Sequence, residues 1–403
     1  MKLYLVTFGS RGDIEPFHAL ALEASSAGHE VFFAHTADFE AQPDVPYIDI
    51  VLPGSVEKVI ADQGVSVWKA LLSYSSVMEP MLRAVWEAST RHIREIKPDM
   101  VVYHPKVVTA ATAAHSVGAL AALVEIVPTM TPTRQFPPAG FPGGLPASLN
   151  KAAYGLVKLG TSAFSGTLSS LRRELGVIRS ESDLVVCPVS PSLVPQPGDW
   201  PPYAHVTGHW NVPSQASLDH EMLEFVSDGP ILYAGFGSMR DSRGLQRASA
   251  IVGAARILGM KTILATGWGG LVPSPDHMVA PDVLVRKAIP HAALLGHVDL
   301  AVHHGGAGTT HAMVRAGIPS VIMPFLADQP WWAARLASQN LGPEALPRTT
   351  TNPDTITRAL TKAQSFDDVV SLAGLRMATE DGLANTVRIL EEAEVGNGEL
   401  RKA

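Results

Sequence analysis

"LAVHHGGAGTTHAMVRAGIPSVIMPFLADQ", residues 300–329, sets an apolar run of strand length, a turn of small side chains, a helical stretch and a second apolar run in direct succession. A buried strand running to His304, a GGAG turn, a helix from near Thr309 and a strand over 319–325 make one step of a parallel β/α arrangement. The turn lets backbone approach closely, and the helix start behind it offers unpaired N–H groups and a positive dipole to an anion. His304 at the strand end and the hydroxyls of Thr309 and Thr310 add donors. Asp328 and Gln329 follow the second strand back to the same sheet edge, where a carboxylate and an amide can hold adjacent hydroxyl groups. On local grounds they also suit a helix cap and a solvated amide.

Working outward, the same rhythm fills the second half of the chain, with PILYAGFGS at 230–238, KTILAT at 261–266 and VLVRKAI at 283–289. The first half repeats it: LYLVTF at 3–8, a helix from about Pro16 to Gly28, HEVFFAH at 29–35, DMVVYH at 99–104, ALAALVEIV at 119–127 and DLVVCP at 183–188. Between the two series lies PSLVPQPGDWPPYAHVTGHW, 191–210, where proline interrupts regular structure. Since 403 residues exceed what one core usually serves, two domains are expected. We expect an α/β protein with two Rossmann-like, doubly wound parallel sheets, their strand ends facing across a cleft. The boundaries read as 1–200, a Pro-rich linker at 201–228, 229–380, and a C-terminal helix and tail at 381–403.

Composition narrows the partners. The chain is 46% hydrophobic and 17% charged with a net charge of −7. With no basic run, nothing favours nucleic acid or an anionic membrane surface, and a small or neutral ligand fits better. One cysteine, Cys187, permits neither an internal disulfide nor a cysteine-based zinc site, and MKLYLVTFGS lacks the features of a signal peptide, so a cytoplasmic location is expected. The window Val107–Pro128 carries His115, Gly118 and Glu125, costly in lipid, and reads as a buried helix and strand rather than a membrane span.

After the first strand, TFGSRGDIEPFHAL at 7–20 supplies a turn, an arginine and an acid. Asp13 suits either a general base or the N-cap of a helix starting at Pro16, and His18, one turn into that helix, reads as structural. PTMTPTRQFPPAGFPGGLPASLNKAAYGLV at 128–157 looks like a mobile wall of a pocket. Its Phe136 and Phe141, with Trp68, Tyr74, Met78 and Met81 before it, suit an apolar ligand several rings in size, or equally an ordinary core.

The chain resembles, over nearly its whole length, the nucleotide-sugar-dependent glycosyltransferases of GT-B fold, family 1, most closely the sterol-glucosyltransferase-like and bacterial natural-product branch. HHGGAGTT at 303–310, RAGIP at 315–319 and PFLADQ at 324–329 carry the likeness. It implies that His304 with Gly306, Ala307, Gly308 and Thr309 binds a diphosphate, and that Asp328 and Gln329 bind hydroxyls of the donor sugar. FGS at 236–238 implies Gly237 and Ser238 near the β-phosphate, and IPH at 289–291 implies Ile289 and His291 beside the base. Ala288 and Ala312 stand where plant members carry a tryptophan for the base and a glutamate for the ribose; Trp268 in ATGWGGL is the expected substitute, and UDP versus dTDP stays open, with UDP preferred. No DxD motif occurs, so no metal and no cofactor is expected beyond the UDP-sugar or dTDP-sugar co-substrate.

The family's catalytic histidine stands in G-H-x-x-P, and this chain has GDIEP at 12–16. The resemblance implies Asp13 as base, accepting the acceptor hydroxyl's proton as that oxygen attacks the anomeric carbon, with inversion. Ser10 and Arg11 are expected to reach the donor diphosphate. Histidine-base relatives orient the imidazole with an aspartate in P-D-x-x-x-x-D, where this chain reads PDMVVYH with His104 last. The two residue types look exchanged, predicting an Asp13–His104 pair, while a strand-end histidine also suits a purely structural bond. The function implied is hexose transfer, from UDP-glucose by preference, to a hydrophobic small-molecule acceptor such as a sterol, terpenoid, polyketide or peptide aglycone. A nucleotide-sugar epimerase of the same fold and a catalytically silent relative remain as alternatives; oligomeric state is undetermined.

Overall fold

The computed structural model describes residues 1–37, 39, 44–55, 79–141, 146–211, 216–237, 239–240 and 242–402. Two compact units divide the chain: one comprises Met1–Pro138, Leu145–Pro213 and Glu380–Ala403, the other Ala139–Gly144 and Ser214–Thr379. Each is built on one parallel sheet.

In the first unit the strands are β1 (Lys2–Val6), β2 (Glu30–Thr36), β3 (Ile48–Leu52), β4 (Met100–Tyr103), β5 (Leu120–Val124), β6 (Leu184–Cys187) and β7 (Ala204–Val206), in spatial order 3-2-1-4-5-6-7. Leu3, Tyr4, Leu5 and Val6 are all fully buried, as a parallel strand covered on both faces requires. The second unit orders its strands β10 (Val283–Arg286), β9 (Lys261–Ala265), β8 (Ile231–Gly235), β11 (Leu300–His303), β12 (Ser320–Ile322). Both orders reverse direction at one place, between β1 and β4 and between β8 and β11. Loops leaving the carboxyl ends of those strand pairs border the natural ligand crevice of such a sheet.

Three readings of the sequence change. The helix expected from Pro16 begins at Arg11 and runs to Ser26, with Ser10 at its N-cap. The Asp13 carboxylate at the third helical position reaches back to the Ser10 backbone N–H at 2.7 Å, half of a capping box, so the helix starts early and Pro16 is carried inside it at the loss of one donor. The 201–228 stretch is not a plain linker, because β7 pairs with β6 through Ala204, His205 and Val206, and Asp219 caps a helix His220–Val226 by accepting from Met222 N–H. Residues from 380 on are no separate tail. The helix Gly382–Lys402 buries Leu383, Val387 and Leu390 in the first unit's core, and Trp210 Nε1 donates to Thr386 Oγ1 at 2.8 Å. The Val107–Pro128 window forms the helix Ala110–Ser116 and β5, and no helix among the described residues is long and apolar enough to cross a membrane.

Candidate functional site

At the first unit's reversal point, β1 and β4 run side by side with Val6 opposite Tyr103. The His104 N–H donates to the Val6 carbonyl at 3.0 Å, extending the ladder one residue and setting the imidazole beside the start of helix Arg11–Ser26. Thr7 Oγ1 ties the other side by donating to the Asp13 carbonyl at 2.8 Å. His104 Nε2 lies 3.3 Å from Asp13 Oδ1. Because His104 Nδ1 accepts the Lys106 backbone N–H at 3.1 Å, the neutral ring carries its proton on Nε2 and donates to Asp13. The sequence reading missed Lys106, whose ammonium sits 2.8 Å from Asp13 Oδ1. Asp13 Oδ2 accepts from Ser10 N and, at 3.0 Å, from Ser10 Oγ.

Burial pushes the Asp13 carboxyl upward, but the Lys106 ammonium and the His104 hydrogen bond outweigh it and hold the acid well below the usual carboxylate range. Burial lowers His104 against the pull of Asp13, which keeps the imidazole neutral near pH 7. Gly9 makes the cluster possible: at φ +146°, a Cβ there would come within 2.2 Å of Asp13 Oδ2 and 2.7 Å of Lys106 Nζ. Arg11 does not join the cluster. It lies along the helix surface and pairs with Glu15 at 2.5 Å. His18 Nδ1 meets the Tyr47 hydroxyl at 2.8 Å among Phe33 and Phe39, in agreement with its structural reading.

The first part of the proline-rich loop after β5, residues 129–134, is fastened by two carboxylates. Glu125, 1% exposed, accepts from the N–H groups of Thr129 and Met130 at 2.9 and 2.8 Å and from Thr131 Oγ1. Burial raises its carboxyl against those bonds. Asp199 accepts from Thr133 Oγ1 at 2.6 Å and from Arg134 N–H at 3.0 Å. Phe136 is buried in the first unit and its carbonyl accepts from the Tyr154 hydroxyl, whereas Phe141 is half-buried and belongs to the second unit. Trp68, Tyr74 and Met78 lie outside the described residues. Met81 packs under Gly54, where a Cβ would lie 2.6 Å from its Cγ.

At the second unit's reversal point, β11 pairs with β8 so that His303 stands opposite Gly235. The helix after the turn spans Ala307–Arg315 with Gly306 at its N-cap, and its first internal bond is Thr310 N–H to the Gly306 carbonyl at 2.9 Å. The amides of Ala307, Gly308 and Thr309 precede that bond, so no carbonyl of the helix can serve them. The His304 ring is cradled by glycines: a Cβ on Gly306 would meet Nε2 at 2.5 Å and one on Gly237 would meet Cε1 at 3.5 Å. Its Nδ1 and the Thr310 hydroxyl oxygen are buried without a hydrogen-bond partner among the described residues. Burial lowers His304 to about 4 and His303 to about 3, so both are neutral near pH 7.

Around this turn, the Trp268 backbone N–H donates to the Gly237 carbonyl at 3.1 Å, and the residue is 37% exposed. That approach depends on Gly267, where a Cβ would fall 2.0 Å from the Gly237 oxygen. His291 Nε2 meets the Tyr233 hydroxyl at 2.8 Å, and Ile289 is half-buried on the core beneath it. Ser238 lies outside the described residues. Gln329 is buried, with Oε1 accepting from the N–H groups of Phe325 and Leu326 and Nε2 resting 3.4 Å from Met239 Sδ. Asp328 Oδ2 accepts from Trp332 Nε1 at 3.0 Å. Both side chains therefore shape the turn after β12 and the helix start behind it. Among the described residues no three His, Cys, Asp or Glu side chains are grouped to hold a metal ion.

Two Rossmann-like units, each built on one parallel sheet with a single strand-order reversal, make up the GT-B fold. Solved structures agree with that over whole chains: the glycosyltransferase SnogD from Streptomyces nogalater (TM-score 0.70, 18% identity, 98% of this chain and 99% of that one) and the glycosyltransferase VinC in complex with dTDP (TM-score 0.70, 19%, 98% and 99%). Residues 274–385 match the family described as erythromycin biosynthesis protein CIII-like, C-terminal domain. Among curated proteins the chain is similar to the sterol 3-beta-glucosyltransferases of Neosartorya fischeri (27% identical, 97% of this chain, 29% of that protein) and Cryptococcus neoformans var. neoformans (28%, 97% and 27%). The chain thus spans less than a third of the length of these relatives.

Proposed function

We propose that the chain is an inverting, metal-independent glycosyltransferase, moving a hexose from a nucleoside diphosphate sugar, UDP-glucose by preference, to a hydroxyl of a lipophilic acceptor. The observation that carries the reading is the Asp13 carboxylate, ionised and hydrogen-bonded to a neutral His104, at the reversal point of the first sheet. Similarity to sterol glucosyltransferases and to a transferase holding dTDP supports the choice of reaction.

In this reading the acceptor oxygen attacks the anomeric carbon while its proton passes to Asp13, and the carbon–oxygen bond to the diphosphate breaks on the opposite face. A strong acid's conjugate base takes that proton only late, once the attacking oxygen is already bonding to carbon. The charge left on the diphosphate is met by the amides of Ala307, Gly308 and Thr309, the helix dipole and His304, donors that need no metal ion. Asp328 and Gln329 are proposed to hold the sugar hydroxyls, Trp268, Ile289 and His291 the base. Phe136 and Phe141 are proposed for the acceptor.

The test is a matrix of UDP- and dTDP-sugars against sterol, terpenoid and polyketide alcohols, read by mass spectrometry. Acceptors that gain one hexose, with nucleotide released only in their presence, are the expected result; nucleotide release without acceptor would point to an epimerase or hydrolase instead. For the donor half, His304→Ala should weaken nucleoside diphosphate binding by about 1.5 to 3 kcal/mol, the value of a hydrogen bond to a charged group. Calorimetry showing unchanged affinity would remove His304 from the site.

A further inference from the structure

An ionised carboxylate offers about four lone-pair positions, and Asp13 has all of them engaged: Ser10 N and Ser10 Oγ on Oδ2, His104 Nε2 and Lys106 Nζ on Oδ1. A hydroxyl arriving to give up its proton must therefore replace one of these donors. Ser10 N is backbone at a helix cap and cannot leave without unwinding the first turn. His104 is 8% exposed, anchored by its own N–H on Val6 and by the Lys106 N–H on its Nδ1, and packed beside the Phe17 ring at 6.2 Å between centroids. The Ser10 hydroxyl is on the other oxygen, turned with the cap. Lys106 differs from all three, with a side chain 42% exposed on a four-carbon stem. Its backbone is pinned while its head is not: Trp86 Nε1 donates to the Lys106 carbonyl at 2.8 Å.

We propose, resting on the transferase reading above, that Lys106 is the positioning residue of the base: its ammonium occupies the place on Asp13 Oδ1 that the acceptor hydroxyl takes, and leaves it when acceptor binds. Until then it keeps Asp13 deprotonated and aimed. The exchange moves a cation from one polar partner to water and replaces it with the hydroxyl that donates its proton in the transfer, so no further reagent is required. Among the described residues no other charged group shares the task. From the β4 loop only His104 and Lys106 act on Asp13; on its own helix Arg11 and Glu15 satisfy each other; and the β1 loop and helix Glu79–Ile96 present Phe8, Gly9 and Trp86 there.

The experiment is the pH dependence of kcat/KM for the acceptor in Lys106→Met, Lys106→Arg and Asp13→Asn, each checked for wild-type circular dichroism and donor affinity. Lys106→Met should retain transfer at neutral and alkaline pH within roughly tenfold, while the acidic limb, which in the wild type lies below the measurable range, rises toward the ordinary aspartate value of about 4 and becomes visible, since loss of an opposite charge at this distance moves a carboxyl up by about one pH unit or more. Lys106→Arg should keep the wild-type limb but raise the acceptor KM, because a bidentate fork is harder to displace than a point charge. A limb that stays in place in Lys106→Met, or a uniform loss at every pH, overturns the role of Lys106 while leaving Asp13 as base. Activity retained in Asp13→Asn overturns both. Lys106→Gln serves as a second neutral variant and must reproduce the shift.

Discussion

Asp13→Asn is expected to lower transfer by roughly 10²- to 10⁴-fold, the contribution of a positioned general base, with donor affinity and fold nearly unchanged. The amide is isosteric, and its oxygen can still accept the Ser10 N–H that starts helix Arg11–Ser26. What it cannot do is take a proton. Loss of the negative charge at the helix N-terminus costs about 0.3 to 1 kcal/mol of stability, and the amide nitrogen, which cannot accept from His104 Nε2 and Lys106 Nζ, adds about 1 to 3 kcal/mol, so the fold of the variant is checked by circular dichroism alongside its rate. Initial rates with a hydrophobic alcohol, alongside calorimetry with UDP, separate the two effects. Equal losses in rate and in donor affinity would mean that Asp13 holds the loop and does no chemistry.

The largest effect on stability is expected from Arg247→Ala, at about 3 to 5 kcal/mol, the range for stranding buried polar groups and opening a cavity. Arg247 is fully buried. Its Nη1 donates to the Gly270 carbonyl at 2.7 Å, its Nε and Nη2 to the Arg348 carbonyl at 3.2 and 2.9 Å, and its guanidinium stacks on Phe236 at 5.3 Å and Phe325 at 4.8 Å. One side chain thus joins the loops that follow β8, β9 and β12, the loops that carry Gly237, Trp268 and Asp328. Removing it strands those carbonyls as well as the stacking faces. Urea unfolding of the second unit measures the loss, and donor affinity should fall with it; a change below about 1 kcal/mol would show that water replaces the guanidinium without cost.

The parallel sheets, and the turns that end their central strands, were legible because each rests on a local pattern. LAVHHGG and TFGSRGD are strand ends followed by turns and helix starts, and the alternation of such pieces dictates a doubly wound sheet. The Asp13–His104 pair was legible as a swap of residue types between two motifs, and β1–β4 pairing brings the two within 3.3 Å. Lys106 carried no such signal. In the stretch HPK it reads as a surface lysine, and only the register of β4 beside β1, with Gly9 leaving room, turns it onto Asp13.

Other features were hidden for the same reason. Glu125 ends an apolar run and looks like an ordinary strand-end acid, yet it is buried and fastens the loop at 129–131. Arg247 sits in a helix, Gly244–Ile257, whose sequence gives no hint that a guanidinium faces the core. The early helix start was misread because Pro16 was taken as a helix beginning, when the Ser10–Asp13 reach already supplied one. Arg11 pairs at the helix surface with Glu15 one turn on, and its reach to a donor diphosphate stays a proposal.

The most direct test of the account is the anomeric configuration of the product formed from α-linked UDP-glucose and a hydrophobic alcohol in excess chelator, read from the proton coupling constant of the anomeric centre. Single displacement with Asp13 as base, and a diphosphate held by helix amides and His304, predicts a β-glucoside formed as fast with chelator as without it. An α-linked product, or transfer abolished by the chelator, would contradict it.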